Sequence, residues 1–369
     1  MRIVTLDDQV VGERLGHTIF GPGGRLLLHA GVRLTHDYVQ VLRGRGYLSV
    51  AVHDPLSPDA VPVDALRDET RAKANAAIER ALQGIGEPRR GAMAAIRRVV
   101  DEIIADIGAN ASLAYSVSAL RSVQDSLFTH SVNVCAYSVI LAAMLALERE
   151  DLRHLGIGAL LHDVGKIYYL DLVNKPGKLE PGEFERIKQH TTDGFQLLRG
   201  QEGIHLLAAH MAFQHHERLD GKGYPRGLAA DRIHAWSRVA AVADVYDTIT
   251  GDRPYGAGLP PVSAMAELRQ AGLLGQLDPT LVRYLSQRVA VYPEGTILVL
   301  ESGEIAVVVG QTEKGAEQPR VRVLTNPKLK LVAPGERVLS GADPGTAVRS
   351  VLADYPRKVR NQFGLKAPT

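Results

Sequence analysis

The chain has 369 residues, of which 45% are hydrophobic and 23% charged, which is usual for a globular protein of about two or three domains. Its one cysteine, Cys135, excludes an intramolecular disulfide and a cysteine-rich zinc module, and it fits a reducing compartment, so we predict a cytoplasmic location. The formal net charge of +2 is too small to argue for a DNA, RNA or membrane surface.

Residues 1–58 predict a small α+β domain, for which a regulatory role is one interpretation. Apolar and polar residues alternate around Gly and Pro turns at 17–31 and 46–54, with a short helical stretch at 35–43. The N-terminus lacks the basic start and apolar core of a secretion signal. A Pro-rich stretch at 54–64 predicts a linker after this domain.

Residues 59–124 predict a helical connector. The sequence is rich in Ala with regularly spaced charges and few helix breakers. Its helices either pack on the rest of the chain or pair with a second copy, so a homodimer is one expectation.

Residues 125–291 predict an almost continuous series of helices. The expected helices span 125–147, 151–163, 181–199, 203–214, 234–250, 261–271 and 278–290. The stretch 131–147 is uncharged, but it is shorter than the roughly twenty apolar residues that a membrane span needs and contains Ser, Asn and Tyr. We therefore predict a buried core helix there and no membrane insertion.

Residues 292–369 predict a small β appendage and a tail. Alternating segments continue to about residue 333, and a loose tail with one short helix near 345–353 is expected after them. The predicted fold class is therefore mainly α, with an all-helical core domain, a small N-terminal α+β domain and a small C-terminal β appendage.

Two runs in the helical region carry residue types that bind metals. HDVGK occupies 162–166 and HHERLDGKGYP occupies 215–225. Together with residues in neighbouring segments they supply seven candidate ligands: His130, His162, Asp163, His190, His215, His216 and Asp244. A lone helical His would be a packing residue, but imidazoles and carboxylates in this number suit transition metals such as iron or manganese. With Asp163 as a bridge they predict a two-metal site that clamps a phosphate.

These two runs, with ADVYDTITGDRPY at 243–255, resemble the HD-GYP family in order and spacing. The family is a metal-dependent branch of the HD phosphohydrolases with an all-helical core, and it hydrolyses the bacterial second messenger cyclic di-GMP. The resemblance covers about 125–290. It implies an HD-type core domain and assigns all seven candidate ligands to the metal centre, with Asp163 also as a catalytic residue.

The resemblance also implies roles for residues that would contact the substrate. Lys166 matches a lysine near the scissile phosphate, where a cation neutralises transition-state charge or protonates the leaving oxygen. Arg253 resembles an arginine that grips a phosphate with its planar fork. Gly223 and Tyr224 belong to the loop that names the family, and they either contact substrate or form a turn that fixes the two histidines.

Two carboxylates are candidates for supporting roles around the ligands. Glu217 is expected to orient a ligand imidazole, as metal sites commonly require. Asp247 lies three residues from Asp244 on the same helical face, and it is either a second supporting partner or a surface charge.

Two positions depart from the family pattern. Members that hold three metals use a Glu one turn before the first His, and Ser126 occupies that position here. We therefore expect two divalent ions, iron or manganese. Gly256 stands where the family often has a second basic residue, which puts one phosphate anchor in doubt.

The resemblance implies a metal-dependent phosphodiesterase that converts cyclic di-GMP to pGpG by attack of a metal-bound hydroxide, with further cleavage to GMP left open. Two alternatives remain: a cyclic di-GMP receptor or adaptor that signals to a protein partner, and an HD hydrolase of another nucleotide.

Overall fold

The computed structural model describes residues 1–21, 25–61, 64–83, 91–109, 126–175, 177–251, 258–312, 315–340, 346–352 and 355–362. Within these ranges the predicted mainly-α fold class is confirmed.

The N-terminal segment forms the predicted α+β unit. Strand β1 (Arg2–Thr5) pairs antiparallel with β4 (Ser49–Val52), and β2 (Ile19–Phe20) pairs with β3 (Leu26–Leu28). Helix α1 (His36–Gly44) begins where the Thr35 hydroxyl accepts a hydrogen bond from the Tyr38 amide, which satisfies one unpaired donor of its first turn. Its buried side chains pack with those of the strands into a core separate from the main one.

The main core is built from helices that surround one apolar helix, α4 (Ser126–Met144). It packs against α5 (Arg149–Leu160) and α10 (Ala235–Thr250). The other helices of this region are α6 (Leu170–Val173), α7 (Pro181–Ile187), α8 (His190–Leu198), α9 (Leu206–Gln214), α11 (Pro261–Leu273) and α12 (Pro279–Arg288). Leu127–Met144 is long and apolar enough to cross a membrane by composition, but 72% of it is buried within the protein, as in a core helix.

The connector helices are part of this core. Helix α2 (Asp68–Gln83) packs against α3 (Ala92–Ala109), and buried residues of both belong to the same apolar cluster as α4 and α5. Gly156 of α5 lies so close to α3 that a Cβ there would be 2.7 Å from Val100 Cγ1. The sequence left open packing on the core or pairing with a second chain, and the apolar faces of these helices are covered by the core.

The C-terminal region forms an antiparallel sheet that is larger than predicted. Its order is β8-β7-β6-β5-β9. The strands are β5 (Ile297–Leu300), β6 (Ile305–Gly310), β7 (Arg320–Thr325), β8 (Leu331–Val338) and β9 (Val348–Leu352), and a short helix, α13 (Arg357–Gln362), follows them.

The predicted short helix near 345–353 is wrong, because β9 pairs with β5 there. The predicted end of the sheet near residue 333 is also too early, since β8 continues to Val338. Short alternating segments such as VRSVL carry a weak local signal, and pairing with a distant strand decides their conformation.

The stretch interpreted as a linker is packed rather than free. Asp54, Ser57 and Ala60 are fully buried, and Leu56 and Ala60 share an apolar cluster with β5, β6 and β7. The Tyr355 hydroxyl donates to Asp54 Oδ2 at 2.8 Å. The segment thus packs against the C-terminal sheet.

Candidate metal centre

The structure brings the seven predicted metal ligands together at one end of the helical core. They are His130 in α4, His162 and Asp163 after α5, His190 at the start of α8, His215 and His216 after α9, and Asp244 in α10. All are buried or nearly so. Most lie at helix ends, where the chain turns and side chains from several helices can converge.

The first group of candidate ligands consists of Asp163, His190, His215 and His216, which each offer one ligand atom within 4.8 Å of the others. Asp163 Oδ1 lies 3.3 Å from His190 Nε2 and 3.5 Å from His215 Nε2. One carboxylate oxygen therefore faces two imidazole nitrogens.

The second group consists of His130, His162 and Asp163, with their ligand atoms again within 4.8 Å. Asp163 Oδ2 lies 3.4 Å from His162 Nε2 and 3.6 Å from His130 Nε2. The two oxygens of Asp163 thus serve two groups of imidazoles, which is the arrangement that a bridging carboxylate needs.

Asp244 reaches toward both groups. Its Oδ1 lies 3.2 Å from His130 Nε2, and its Oδ2 lies 3.7 Å from His216 Nδ1. It faces Asp163 across the imidazoles as a second carboxylate of the centre.

Backbone carbonyls fix the orientation of three of the imidazoles. His162 Nδ1 donates to Ala159 O at 2.8 Å, and His190 Nδ1 donates to Ile187 O at 2.6 Å. His215 Nδ1 lies 3.1 Å from Met211 O. Because a carbonyl only accepts, each Nδ1 carries the proton, and Nε2 is left as a lone-pair donor directed at Asp163.

His130 is oriented by a carboxylate instead. Its Nδ1 lies 2.7 Å from Asp247 Oδ2, and Asn133 Nδ2 donates to Asp247 Oδ1 at 3.0 Å. Asp247 is 0% exposed. Of the two interpretations of Asp247, the structure favours the supporting partner over the surface charge.

Burial and charge set the protonation of the centre in the absence of metal. Burial lowers the pKa of His215 to about 4 and holds that of His216 well below its ordinary value, so both are neutral near pH 7. Burial alone would lower the pKa of His130, but hydrogen bonds to Asp244 and Asp247 raise it to about 9. Burial would raise the pKa of Asp163, yet the Lys166 ammonium and the His162 imidazole hold it well below its usual range.

The residues present fit transition-metal ions. Within the described chain, the buried atoms His162 Nε2 and Asp163 Oδ1 have no hydrogen-bond partner. Leaving buried polar atoms unpaired costs about 1–3 kcal/mol each, so their persistence at the middle of the cluster favours a ligand between them. Neutral imidazoles together with carboxylates form a donor set that first-row transition metals accept.

Lys166 contacts the shared carboxylate. The 3₁₀ turn Val164–Tyr169 follows Asp163, and residues three apart eclipse in such a turn. Lys166 Nζ consequently lies 2.5 Å from Asp163 Oδ2, with 21% of the side chain exposed. The cation lies beside the centre and is open to an incoming ligand.

Glu217 has a role different from the one expected. It is buried, and its two oxygens accept hydrogen bonds from the Arg226 and Leu228 amides at 2.9 and 2.8 Å. The carboxylate therefore holds the loop after the histidine pair rather than orienting a ligand imidazole.

Gly223 is explained by the packing of this loop on itself. A Cβ there would lie 2.3 Å from Arg218 N and 2.5 Å from His216 O. The missing side chain lets the loop close against the histidine pair, which supports the turn interpretation of Gly223 over substrate contact.

Tyr224 lies at the rim of the centre with two residues that the sequence did not single out. Its ring lies against that of His216, with centroids 4.6 Å apart. Lys188 Nζ lies 5.5 Å from the Tyr224 ring centroid and 4.8 Å from that of Phe184, which is 46% exposed. We call Phe184, Lys188 and Tyr224 the rim cluster; it combines exposed aromatic surface with a cation.

Three predicted features lie outside what the structure describes. Arg253 and Gly256 fall within 252–257, and the side chain of Ser126 is not described. Their roles remain predictions.

Sequence reasoning missed Asn133 and two residues of the rim cluster, Phe184 and Lys188. Asn133 lies three residues after His130, on the same face of α4, so helical spacing gave a usable signal for it. Phe184 lies in helix α7 and Lys188 directly follows that helix, and neither carries such a signal.

Comparison with protein families supports this picture. A family model described as HD domain matches residues 116–281. A cyclic di-GMP phosphodiesterase of Pseudomonas aeruginosa, PA4108, is 37% identical over 241 residues, which cover 65% of this chain and 58% of the relative. A 3'3'-cGAMP-specific phosphodiesterase of Vibrio cholerae is 35% identical over 166 residues, covering 45% of this chain and 36% of the relative. The chain thus spans little more than half of the first relative and about a third of the second.

A solved structure shares the fold. An HDG"Y"P protein from Bdellovibrio bacteriovorus aligns with a TM-score of 0.50 and 15% sequence identity, covering 77% of this chain and 98% of that one.

Proposed function

We propose that the protein is a metal-dependent phosphodiesterase of cyclic dinucleotides, with cyclic di-GMP as the substrate and pGpG as the product. The HD domain model that matches residues 116–281 and the resemblance of the sequence to the HD-GYP motifs support this proposal. The observation that carries the proposal is the pair of imidazole groups that share Asp163. The names of these two relatives, phosphodiesterases of cyclic di-GMP and of 3'3'-cGAMP, support the substrate class.

Two divalent ions, iron or manganese, would be held by the first and second groups with Asp163 between them. Such ions supply Lewis acidity: they make water a better nucleophile near pH 7 and offset the charge of a phosphodiester. The residues contribute the framework, because backbone carbonyls and Asp247 hold the imidazoles in the ligating orientation before any ion arrives.

The reaction adds water across one phosphodiester. The water oxygen joins phosphorus, the bond from phosphorus to the ribose oxygen breaks, and that oxygen takes up a proton. Lys166 would serve this step, since its ammonium is partly exposed beside Asp163 and can neutralise or protonate a departing oxygen.

The rim cluster would bind the rest of the substrate. Bases stack on aromatic rings with about 1–3 kcal/mol each, and Phe184 and Tyr224 offer such rings next to the Lys188 cation. In this proposal Tyr224 contacts substrate while Gly223 shapes the loop. Arg253, outside the described residues, would grip a phosphate.

The test is hydrolysis of cyclic di-GMP by the full chain loaded with Mn²⁺ or Fe²⁺, followed by chromatography of the products. We expect pGpG from the native protein and none from the Asp163→Asn variant. The matched control is Asp171→Asn, which changes an exposed carboxylate paired with Arg186. Intact cyclic di-GMP with both metals would contradict the proposal.

A parallel assay with 3'3'-cGAMP examines the alternative substrate that one relative's name raises. Faster turnover of 3'3'-cGAMP would reassign the substrate within the same class. Tight binding of cyclic di-GMP without turnover would instead support the receptor interpretation.

A further inference from the structure

A chain of side chains connects the metal centre to helix α2, which precedes the segment 116–281. Arg71 Nη1 donates to Asn133 Oδ1 at 2.6 Å, and Asn133 Nδ2 donates to Asp247 Oδ1 at 3.0 Å. Asp247 Oδ2 lies 2.7 Å from His130 Nδ1. Only the side chains of Asn133 and Asp247 therefore lie between Arg71 of the connector and the candidate ligand His130.

The direction of each hydrogen bond in this chain is fixed by chemistry. A guanidinium only donates, and an ionised carboxylate only accepts. The Asn133 amide has one accepting and one donating end, so its oxygen must face Arg71 and its nitrogen must face Asp247. Without Arg71 nothing in this chain of contacts prevents the amide from turning its oxygen toward the carboxylate, where the two would repel.

Arg71 is itself held in place. Its Nη2 lies 3.0 and 3.2 Å from the two oxygens of Asp64, while Nη1 serves Asn133. The side chain of Arg71 is 11% exposed and that of Asp64 16%. A planar guanidinium can bind two partners at fixed angles, and a flexible ammonium cannot do so equally well.

We propose that Arg71 is a positioning residue of the metal centre, which fixes the Asn133 amide and through Asp247 turns Nε2 of His130 toward Asp163 and Asp244. The inference rests on the metal centre of the proposed function but not on the identity of the substrate. It also means that a shift of α2 reaches His130 through only two intervening side chains.

The experiment is calorimetric titration of the metal-free full chain with Mn²⁺. The difference in Mn²⁺ affinity between the native protein and the His130→Ala variant defines the binding that depends on His130. We expect Arg71→Met to weaken that binding by about tenfold, the lower end of what partners behind a ligand usually contribute. Arg67→Met is the matched control, because Arg67 lies four residues before Arg71 and pairs with Asp106 of α3 instead of Asn133.

A double-mutant cycle separates positioning from general damage to the fold. Asn133→Ala should weaken Mn²⁺ binding to a similar extent, and adding Arg71→Met to it should weaken binding no further, because Asn133 carries the effect. Arg71→Lys should be intermediate, and it serves together with Asn133→Ala if Arg71→Met does not fold.

The inference would be overturned if Arg71→Met bound Mn²⁺ as tightly as the native protein does. It would also be overturned if the losses of Mn²⁺ affinity caused by Arg71→Met and Asn133→Ala multiplied in the double variant. If the native protein binds no Mn²⁺, the metal centre and the inference both fall. If it binds Mn²⁺ but leaves cyclic dinucleotides intact, only the proposed function falls.

Discussion

At the scale of single residues, Asp163 is the one side chain on which both groups of candidate ligands depend. Asp163→Ala removes both carboxylate oxygens, so that neither group of imidazoles keeps the oxygen that faces it. We expect Mn²⁺ affinity to fall by at least about a hundredfold at both groups, beyond the 10–100-fold typical of partners behind a ligand. Metal content after dialysis measures this, and a variant that retains one tightly bound ion would show that Asp163 is not shared.

The His130 imidazole is expected to carry a proton that a metal ion must displace when it binds. Its pKa of about 9 means that the metal-free imidazole is protonated near neutral pH, whereas His215, with a pKa of about 4, is already neutral. Binding of Mn²⁺ near pH 7 should therefore release close to one proton at His130, and the release should fade as the pH rises through about 9.

The measurement is calorimetry in two buffers with different heats of ionisation. His130→Gln serves as the reference, since it removes the titrating imidazole and should remove the dependence on buffer. Equal heats in both buffers for the native protein would contradict the assignment of the displaced proton.

At the scale of elements, the turn that presents Asp163 is held against helix α8 by a glycine. A Cβ at Gly165 would lie 2.0 Å from His190 O and 2.7 Å from Gly194 N. Both contacts are to backbone, so the two segments would have to separate, and with them Asp163 and His190.

Gly165→Ala should consequently lower the free energy of unfolding by about 1–3 kcal/mol, as overpacking does, and weaken Mn²⁺ binding. Gly182→Ala is the control, because a Cβ at Gly182 meets no atom within 4 Å and alanine is the better helix former. Urea unfolding and Mn²⁺ titration together check this, and full metal affinity in Gly165→Ala would show that the close approach does not position the ligands.

The loop after the histidine pair depends on Glu217. Glu217→Gln replaces one of two accepting oxygens by a donor that faces a backbone N–H, so the loop should loosen at a cost of about 1–3 kcal/mol. Hydrogen exchange should rise at the Arg226 and Leu228 amides, and in the proposed reaction the KM for cyclic di-GMP should rise more than kcat falls. The control is Glu202→Gln, because Glu202 is exposed; it should leave the hydrogen exchange of these amides and the kinetic constants unchanged. Unchanged exchange at these two amides would mean that the loop is held by other contacts.

The helices were predicted from the sequence more accurately than the strands of the C-terminal sheet. Helices such as α4 and α10 were predictable because apolar residues repeat along them over many turns, and adjacent motif residues such as His162 and Asp163 constrained the site. The predicted helix 151–163 ends earlier, since α5 stops at Leu160 and the ligands occupy the following turn. Strand β9 was not predictable, because its five residues become a strand only by pairing with β5.

At the scale of the whole molecule, the stretch 54–60 contacts both Met1 and the C-terminal sheet through bonds that no local sequence pattern predicts. The amino group of Met1 donates to Ala60 O at 2.5 Å, and Arg322 of β7 binds Asp59 with both of its terminal nitrogens. A Pro-rich stretch looks the same in sequence whether it is solvated or covered by a sheet. The apolar faces of α2 and α3, which suggested pairing with a second chain, pack against the core of the same chain. The homodimer and the signalling partner remain predictions.

The Asp54–Tyr355 contact gives this long-range packing a test. Asp54 is fully buried and accepts hydrogen bonds from the Tyr355 hydroxyl and the Ser57 hydroxyl, each at 2.8 Å, and from the Leu56 amide at 3.0 Å. Tyr355→Phe removes one donor from a buried carboxylate while keeping the ring in its apolar cluster. Hydrogen bonds to charged groups contribute about 1.5–3 kcal/mol, so the free energy of unfolding in urea should fall by that amount.

Tyr168→Phe is the control, because Tyr168 is 51% exposed and its hydroxyl can bind water equally well in the unfolded chain. Mn²⁺ affinity should be unchanged in Tyr355→Phe, since Tyr355 packs in an apolar cluster that contains none of the candidate ligands. Equal unfolding free energies for Tyr355→Phe and Tyr168→Phe would mean that the buried carboxylate is satisfied without the C-terminal segment. A loss confined to Tyr355→Phe would instead show that the contact between Asp54 and the C-terminal segment stabilises the folded protein.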